Sequence, residues 1–184
     1  MSPIVTAVLA TTTCVDNFEE TFECNQTVAL GGDEDLIPDQ NIEASSADGF
    51  HNAEFSKLDS GNYWRNARED ANPWIQANLL EISYVHGVVI QGYDGPTSAP
   101  CWASKLTIQT GLDVSSIDYI RSSCDEPPMV FTGNSRNNAN SPVQVLFPRV
   151  VVALIVRLEP MDCYLFDHSS PQCTVLFDVM GCVS

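Results

Sequence analysis

The chain has little positive charge. Eight Lys and Arg residues stand against 24 Asp and Glu residues, which gives a formal net charge of −16 over 184 residues, and residues 1–50 contain no Lys or Arg. A negative field of this size repels phosphate backbones and anionic lipid headgroups, so it argues against nucleic acid and membrane lipid as partners. The charge indicates either solubility in salty or crowded surroundings, or attraction for cations or a basic partner.

Long apolar runs are also missing. No run approaches the roughly 18 residues that a membrane-spanning helix needs. The apolar run Ile4–Ala10 has no basic residues before it, so it is a poor signal peptide. The start therefore fits a processed N-terminus, or a protein that reaches its site without ordinary secretion, as a component of a virus particle would. The length fits one domain with a short extension.

Catalytic motifs are absent from the sequence. It has no H-E-x-x-H, no G-x-S-x-G, no P-loop and no G-x-G-x-x-G after a strand. Its three histidines, His51, His86 and His168, fall on separate predicted elements. We therefore expect a protein that is not an enzyme.

Short apolar runs separated by Gly, Pro, Asn and Ser predict an all-β sandwich. From Trp74 the chain alternates, with Ile75, Ala77 and Leu79 on one predicted face, and a polar break at 81–83 separates this strand from the next. Val150–Val156 is apolar without alternation, which predicts a central strand covered on both faces. The predicted strands are approximately 28–30, 41–45, 74–80, 84–92, 104–111, 117–122, 128–132, 143–147, 150–158 and 174–181.

Five separated motifs occur in a recognisable order. They are Ile42–Ser46 (IEASS), Leu58-Asp59…Trp64 followed by Trp74–Leu79 (WIQANL), Val85–Gly92 (VHGVVIQG), Phe131–Asn134 (FTGN) and Val179–Cys182 (VMGC). Together they resemble the discoidin domain, also called the coagulation factor V/VIII C-type domain. One departure is Asn78, where that family usually has an acidic residue.

The resemblance implies a jelly-roll β-sandwich of the galactose-binding-domain-like type. It places a domain at residues 24–182, preceded by an N-terminal extended arm at 1–23 and followed by a tail at 183–184. It also implies a disulfide bond between Cys24 and Cys182 that joins the two ends of the domain. The arm is interpreted either as a disordered tail or as a segment that docks on a neighbouring subunit.

Seven cysteines without zinc-type spacing indicate an oxidising compartment. A hairpin turning near Asp113 would place Cys101 opposite Cys124, and Cys163 with Cys173 would close the loop around His168. Cys14 remains, either for an intermolecular bond or as a free thiol. Asn25 begins the sequon Asn25-Gln26-Thr27, a candidate glycosylation site.

A calcium site is expected at the turn around Asp59. Some members of the wider galactose-binding-like group hold calcium here, closed by an acidic residue near the C-terminus, and tight turns supply the oxygen ligands that calcium prefers. The resemblance implies Asp59, Asn62 and Asp178 as ligands. The alternative is an Asx turn in which Asp59 accepts backbone hydrogen bonds.

Ligands of this family bind loops at one end of the sandwich, which here are 47–55, 65–72 and 93–102. The bulky apolar spikes of lipid-binding members are replaced by small and acidic residues, with Phe50 the one candidate left. Sugar recognition needs an aromatic face and fixed polar groups. The expected ligand-binding residues are Phe50, His51, Asn52, Arg65, Arg68, Asp94 and Trp102; Trp64 and Trp74 are expected in the core.

We therefore predict a non-enzymatic adhesion or binding module, extracellular or exposed on a particle surface, that recognises a glycan or glycoprotein. The alternative is a structural subunit of an extracellular fibre, a matrix or a virion. That alternative depends on Cys14, on the arm and on the apolar run at 150–156, which together allow contacts between identical subunits.

Overall fold

The computed structural model describes residues 28–29, 37–94, 100–165 and 172–183. In this part of the chain the regular structure consists of antiparallel strands and three short 3-10 helices, at Asp39–Asn41, Ala53–Ser56 and Val114–Ser116. The all-β jelly-roll prediction is confirmed. The strands are β1 Val28–Ala29, β2 Ile42–Ala44, β3 Trp64–Arg65, β4 Ile75–Gln91, β5 Cys101–Gly111, β6 Asp118–Tyr119, β7 Phe131–Thr132, β8 Val143–Leu165 and β9 Thr174–Val183.

The strands are hydrogen-bonded in the order β1-β9-β4-β8-β5-β6. Three short strands lie off this path, with β2 paired to β4, β3 to β9 and β7 to β5. The long strands β4 and β8 pair with each other along most of their length. Strand β4 lies between β9 and β8, and β8 lies between β4 and β5, so these two long strands form the centre of the sheet.

Strand β4 is continuous where the sequence predicts two strands. Its pairing register with β8 shifts between Asn78 and Ser83, and the intervening Leu80 and Ile82 are 58% and 42% exposed. The polar break at 81–83 is therefore an irregularity within one strand. It lacks the Gly, Pro or Asn residues that would turn the chain.

The predicted apolar face of β4 lies in the core, although Gln76 between Ile75 and Ala77 is fully buried as well. Ile75, Ala77 and Leu79 are buried in one cluster with Trp64, which is fully buried. Trp74 lies at the edge of the core, where the Arg157 guanidinium sits 4.2 Å from its ring centre. Trp64 is the anchor of the core, since truncating a buried Trp to Ala typically costs about 3–5 kcal/mol.

The predicted central position of residues 150–156 is confirmed, because β8 lies between β4 and β5. The predicted cover on both faces is wrong. Val152 is 45% exposed, whereas Val156 is fully buried. The sheet in this region packs on the core with one face and leaves part of the other uncovered.

The disulfide between Cys163 and Cys173 is present, as predicted. The predicted bond between Cys101 and Cys124 is wrong, because Cys101 is free and buried while Cys124 is disulfide-bonded. The cause is register. Residues 118–119 pair with the far end of β5, but Gly133 and Asn134 then occupy its near end through hydrogen bonds to Ser104 and Ala103.

Several predictions fall on residues outside the described ranges: the arm, Cys14, Cys24, Asn25, His168 and the segment 95–99. Cys182 is disulfide-bonded, and its predicted partner Cys24 is among these residues. Val183 is the last residue of β9. Within the described ranges, no helix is both long and apolar enough to cross a bilayer.

Candidate ligand-binding site at the loop end

A tight turn at residues 48–51 presents an aromatic side chain to solvent. The His51 N–H donates to the Asp48 carbonyl oxygen at 3.1 Å, and Gly49 has a φ of +61° that a residue with a Cβ rarely adopts. Phe50 at the tip of the turn is 90% exposed. The loop therefore keeps a free aromatic face in water.

Behind this turn, three aromatic rings lie in contact, the first pair stacked and the second tilted at 35°. The ring centres of His51 and Tyr63 are 4.1 Å apart, with their planes at 17°, and those of Tyr63 and Tyr93 are 4.2 Å apart. Tyr63 is buried, whereas His51 and Tyr93 are half-buried. His51 and Tyr93 thus flank a ring that is itself fixed in the interior.

An ion pair lies beside the stack. The Arg65 guanidinium is 2.7 Å from the Asp48 carboxylate and 5.9 Å from the ring centre of Tyr63. The backbone of Arg65 is held in place in two ways. Strand β3 pairs with the first residues of β9, and the backbone N–H of Arg65 donates to the His51 carbonyl oxygen at 3.2 Å. A hydrogen bond with Gln172, followed by the charge of Arg65, holds the pKa of Asp48 below its ordinary value.

We name Asp48, His51, Tyr63, Arg65 and Tyr93 the loop-end site. Two of its buried nitrogens, Nδ1 of His51 and Nε of Arg65, have no hydrogen-bond partner among the described residues. A buried polar atom without a partner is costly, so a bound ligand or water that supplies one is favoured. Burial, and then the charge of Arg65, lower the pKa of His51, which keeps the ring neutral.

A free thiol lies directly under this site. Cys101 is 1% exposed and belongs to a small apolar cluster with Tyr63 and Leu176. Burial raises the pKa of the Cys101 thiol. The thiol is therefore an unreactive packing group.

The structure places five of the seven predicted ligand-binding residues in or beside the loop-end site. His51 and Arg65 belong to the loop-end site, Phe50 stands at the tip of its turn, and Asp94 is exposed next to Tyr93. Asn52 is exposed just after the turn.

The other two predicted residues do not join them. Trp102 is 4% exposed and stacks on Tyr164 with ring centres 4.1 Å apart, so its predicted role as an open aromatic face is wrong. Its position on β5 between β8 and the segment that contains Asn134 explains this burial. Arg68 is exposed and lines a separate hollow with Asp162.

Sequence reasoning missed Tyr63 and Tyr93. Tyr63 precedes Trp64, which is expected in the core, and Tyr93 follows the predicted strand 84–92. Because adjacent residues of an extended chain point in opposite directions, an aromatic beside a core tryptophan belongs to the other face. This alternation was the signal available for Tyr63.

The predicted calcium turn has a specific geometry. Asp59 is exposed, with a φ of 55°, and its carboxylate accepts a 3.4 Å hydrogen bond from the Gln91 side chain. The Asn62 side-chain oxygen accepts from the Tyr63 N–H at 2.9 Å. No group of three or more His, Cys, Asp or Glu side chains among the described residues is arranged to hold a metal ion. A cation here would depend on amide and backbone oxygens beside the carboxylates.

Taken together, the sandwich and its loop-end site define a binding module. The F5/8 type C domain family matches residues 41–173. The chain belongs to this family, which confirms the resemblance to discoidin domains, and its domain is non-catalytic.

Two curated relatives illustrate the match. The chain is 30% identical to lactadherin of Bos taurus over 169 residues, which cover 87% of this chain and 38% of lactadherin. It is 29% identical to EGF-like repeat and discoidin I-like domain-containing protein 3 of Homo sapiens over 173 residues, which cover 88% of this chain and 33% of that protein. The chain thus spans about a third of the length of these relatives.

Solved structures share the fold. Discoidin II of Dictyostelium discoideum has a TM-score of 0.66 at 15% identity, covering 86% of this chain and 60% of that one. The family 32 CBM from C. perfringens NanJ, solved in complex with galactose, has a TM-score of 0.54 at 15% identity, covering 78% of this chain and 96% of that one. These likenesses confirm the jelly-roll sandwich.

Proposed function

We propose that this domain recognises a glycan or glycoprotein through the loop-end site, outside the cell or on an exposed particle surface. The observation that carries the proposal is the row of three contacting rings, His51, Tyr63 and Tyr93, beside the Asp48–Arg65 ion pair. Aromatic faces with a few fixed polar groups are the usual components of a sugar site. The fold shared with a CBM solved with galactose adds support from analogy.

The charges of the site favour an uncharged glycan over an anionic one. Arg65 is already paired with Asp48 at 2.7 Å, and Asp94 adds an exposed carboxylate nearby. A sialylated or sulfated sugar would bring a further negative charge into this environment. The same argument, together with the net charge of −16, disfavours an anionic membrane surface, although Phe50 is exposed.

A glycan array that contains neutral, sialylated and sulfated sugars tests the proposal. The purified oxidised protein should bind a defined neutral sugar saturably, and Arg65→Gln should lose most of this binding. Arg68→Gln is the matched control, because Arg68 is exposed outside the loop-end site. A blank array, or equal losses from both variants, contradicts the proposal.

We also propose that calcium binds the Asp59 turn through Asp59, Asn62 and Asp178. Gln91 pairs with Leu176 and Val89 pairs with Asp178 in adjacent strands, so Gln91 and Asp178 lie on the same face of the sheet. Asp59 hydrogen-bonds Gln91 and therefore lies over that face. This placement supports a shared oxygen site.

A second candidate function is that of a subunit in a larger assembly. Its support is a set of exposed apolar side chains on β4 and β8: Leu80, Ile82, Leu146 and Val152. Exposed apolar side chains of this kind are typical of surfaces that contact another protein. Light scattering after gel filtration tests it. A species larger than a monomer, reduced by Leu146→Ser, would support assembly.

A further inference from the structure

A groove on the sandwich shares no lining residue with the loop-end site. It has a volume of about 730 Å³ and is lined by the segments 71–73 and 128–130 and by residues 159–161 of β8. A second hollow of about 510 Å³ adjoins it and shares Ala71, Pro73, Pro160 and Met161. We call the two hollows together the side groove.

The walls of the side groove are apolar and open to solvent. Met161 is 60% exposed and Val130 is 51% exposed, and the remaining wall residues include three prolines, Pro73, Pro128 and Pro160. Aliphatic and proline side chains in a concave surface contact the aliphatic part of a ligand. They offer no flat aromatic face on which a sugar ring would stack, apart from Tyr119.

A fixed carboxylate forms the floor of the groove. The Glu159 side chain accepts hydrogen bonds from Gln109 at 2.9 Å, from the Tyr119 hydroxyl at 2.8 Å and from Thr107 at 3.2 Å. All three donors are neutral, and no ion pair found among the described residues includes Glu159. The carboxylate is therefore oriented by neutral donors and not by an ion pair; a cation on this side is Arg121, whose guanidinium lies 5.9 Å from the ring centre of Tyr119.

The charge of the adjoining hollow has the same sign. Its lining includes the carboxylates of Glu69, Asp70 and Asp162 and the guanidinium of Arg68. Lys105 pairs with Asp162 at 3.7 Å, so two cations face three carboxylates there. The whole groove thus combines apolar walls with an excess of negative charge. Its complement is an aliphatic chain that ends in a cation, which is the structure of an Arg or Lys side chain.

We infer that the side groove binds an extended basic peptide segment of a partner protein, with one Arg or Lys side chain directed at Glu159. Apolar residues that flank the basic one would contact Met161 and Val130. Charge complementarity carries the choice of a peptide over a glycan, since the floor is a carboxylate and the walls are aliphatic. This inference is independent of the glycan proposal, because it uses none of the five residues of the loop-end site.

Nuclear magnetic resonance on the ¹⁵N-labelled protein tests this inference. The probe is acetyl-Leu-Arg-Leu-amide, compared with acetyl-Leu-citrulline-Leu-amide, which has nearly the same shape without the charge. The Arg peptide should shift amide signals within 69–73, 128–130 and 159–162, and the citrulline peptide should bind at least about fivefold more weakly, because it cannot pair with the carboxylate.

Two variants locate the contact. Glu159→Gln keeps the size of the side chain and removes its charge, and should weaken the Arg peptide about tenfold. Met161→Ser changes an exposed wall residue, so it should fold normally, and it should weaken both peptides. The matched control is Glu81→Gln, an exposed carboxylate on β4, which should leave the Kd within twofold.

Four outcomes would overturn the inference. Equal affinity for the two peptides would show that the positive charge of the Arg side chain does not contribute to binding. Shifts spread evenly over the acidic surface, or the same loss in Glu81→Gln as in Glu159→Gln, would show non-specific attraction to a chain of net charge −16. Wild-type affinity in both Glu159→Gln and Met161→Ser would exclude the groove.

Discussion

The imidazole ring of His51 lies almost parallel to the phenol ring of Tyr63, with ring centres 4.1 Å apart. The two residues come from different loops, and Tyr63 is anchored in the interior by the adjacent Trp64 on β3. The stack therefore fixes the orientation of His51 before any ligand arrives. A preorganised polar group loses less conformational entropy on binding than a mobile one.

Replacing His51 with Phe should separate the two roles of this ring. His51→Phe keeps a flat ring on Tyr63 and removes both ring nitrogens, so we expect at least about a tenfold loss of glycan affinity with little change in melting temperature. Isothermal titration calorimetry with the sugar found on the array measures the glycan affinity, and a thermal melt measures the melting temperature. Affinity equal to that of the wild type would contradict a polar role for His51.

Stability should depend on pH through His51. Burial holds its folded-state pKa below the ordinary value of 6.5, so its contribution to stability is complete above pH 6.5. As the pH falls below 6.5 the unfolded chain takes up the proton first, and that contribution is lost as the pH approaches the lower folded-state pKa. Asp48 stays charged in this window because its own pKa is lowered from 3.8.

Urea unfolding of the wild type and His51→Phe at pH 7.5 and 5.5 checks this dependence. Comparing the two proteins isolates the contribution of His51. The wild type should lose more stability than the variant between the two pH values. Equal losses would show that the pKa of His51 is not lowered by folding.

Most of the fold was predictable because its signals are local. Apolar alternation and turn residues placed the long strands β5 and β9 at nearly their observed positions, and the spaced motifs indicated the family. The prediction failed at residues 81–83, where a polar stretch was interpreted as a break. Whether such a stretch turns the chain or bulges within a strand depends on its pairing with β8, which lies about 70 residues away.

The site was predictable only where the loops themselves carry it. The positions of His51 and Arg65 in the loops were enough to predict that they belong to the site. Trp102 was predicted to bind ligand and Cys101 to form a disulfide bond from local sequence alone, which does not show what covers β5. Cys101 packs with Tyr63 and Leu176, and Trp102 stacks on Tyr164, so the residues that cover them come from separate parts of the chain. No window of sequence contains that information.

Calcium should raise the melting temperature if it binds the Asp59 turn. Calcium that binds only the folded state stabilises it by mass action, so a rise of a few degrees is expected in millimolar calcium compared with chelator. Asp59→Asn should abolish the rise, and Glu81→Gln should leave it intact. The same melting temperature with calcium and with chelator would leave an Asx turn as the role of Asp59.

Cys101 should resist alkylation in the native protein. The thiol is 1% exposed and burial raises its pKa, so little reactive thiolate is available. Iodoacetamide followed by peptide mass mapping should find Cys101 unmodified at neutral pH and fully modified in denaturant without reductant. Failure to label it even in denaturant would place Cys101 in a disulfide bond and restore the pairing expected from the sequence.

Gly133 should tolerate no side chain. A Cβ atom there would lie 2.3 Å from the carbonyl oxygen of Ala103, a backbone group held in hydrogen bonding to the Asn134 N–H at 2.9 Å. Since neither strand segment is free to move, Gly133→Ala should lower the free energy of unfolding by about 1–3 kcal/mol through overpacking.

The comparison for Gly133→Ala is Gly49→Ala, where nothing lies within 4 Å of the added methyl group but φ is +61°. That change should cost only about 1–2 kcal/mol, from backbone conformation alone. The two substitutions destabilise the protein for different reasons, so replacing alanine with asparagine should have a different effect at each position. A Gly49→Asn protein should regain part of the loss, because Asn accepts the left-handed conformation, whereas Gly133→Asn should be at least as unstable as Gly133→Ala. Recovery at Gly133 with Asn would show that conformation, not the Ala103 contact, requires glycine there.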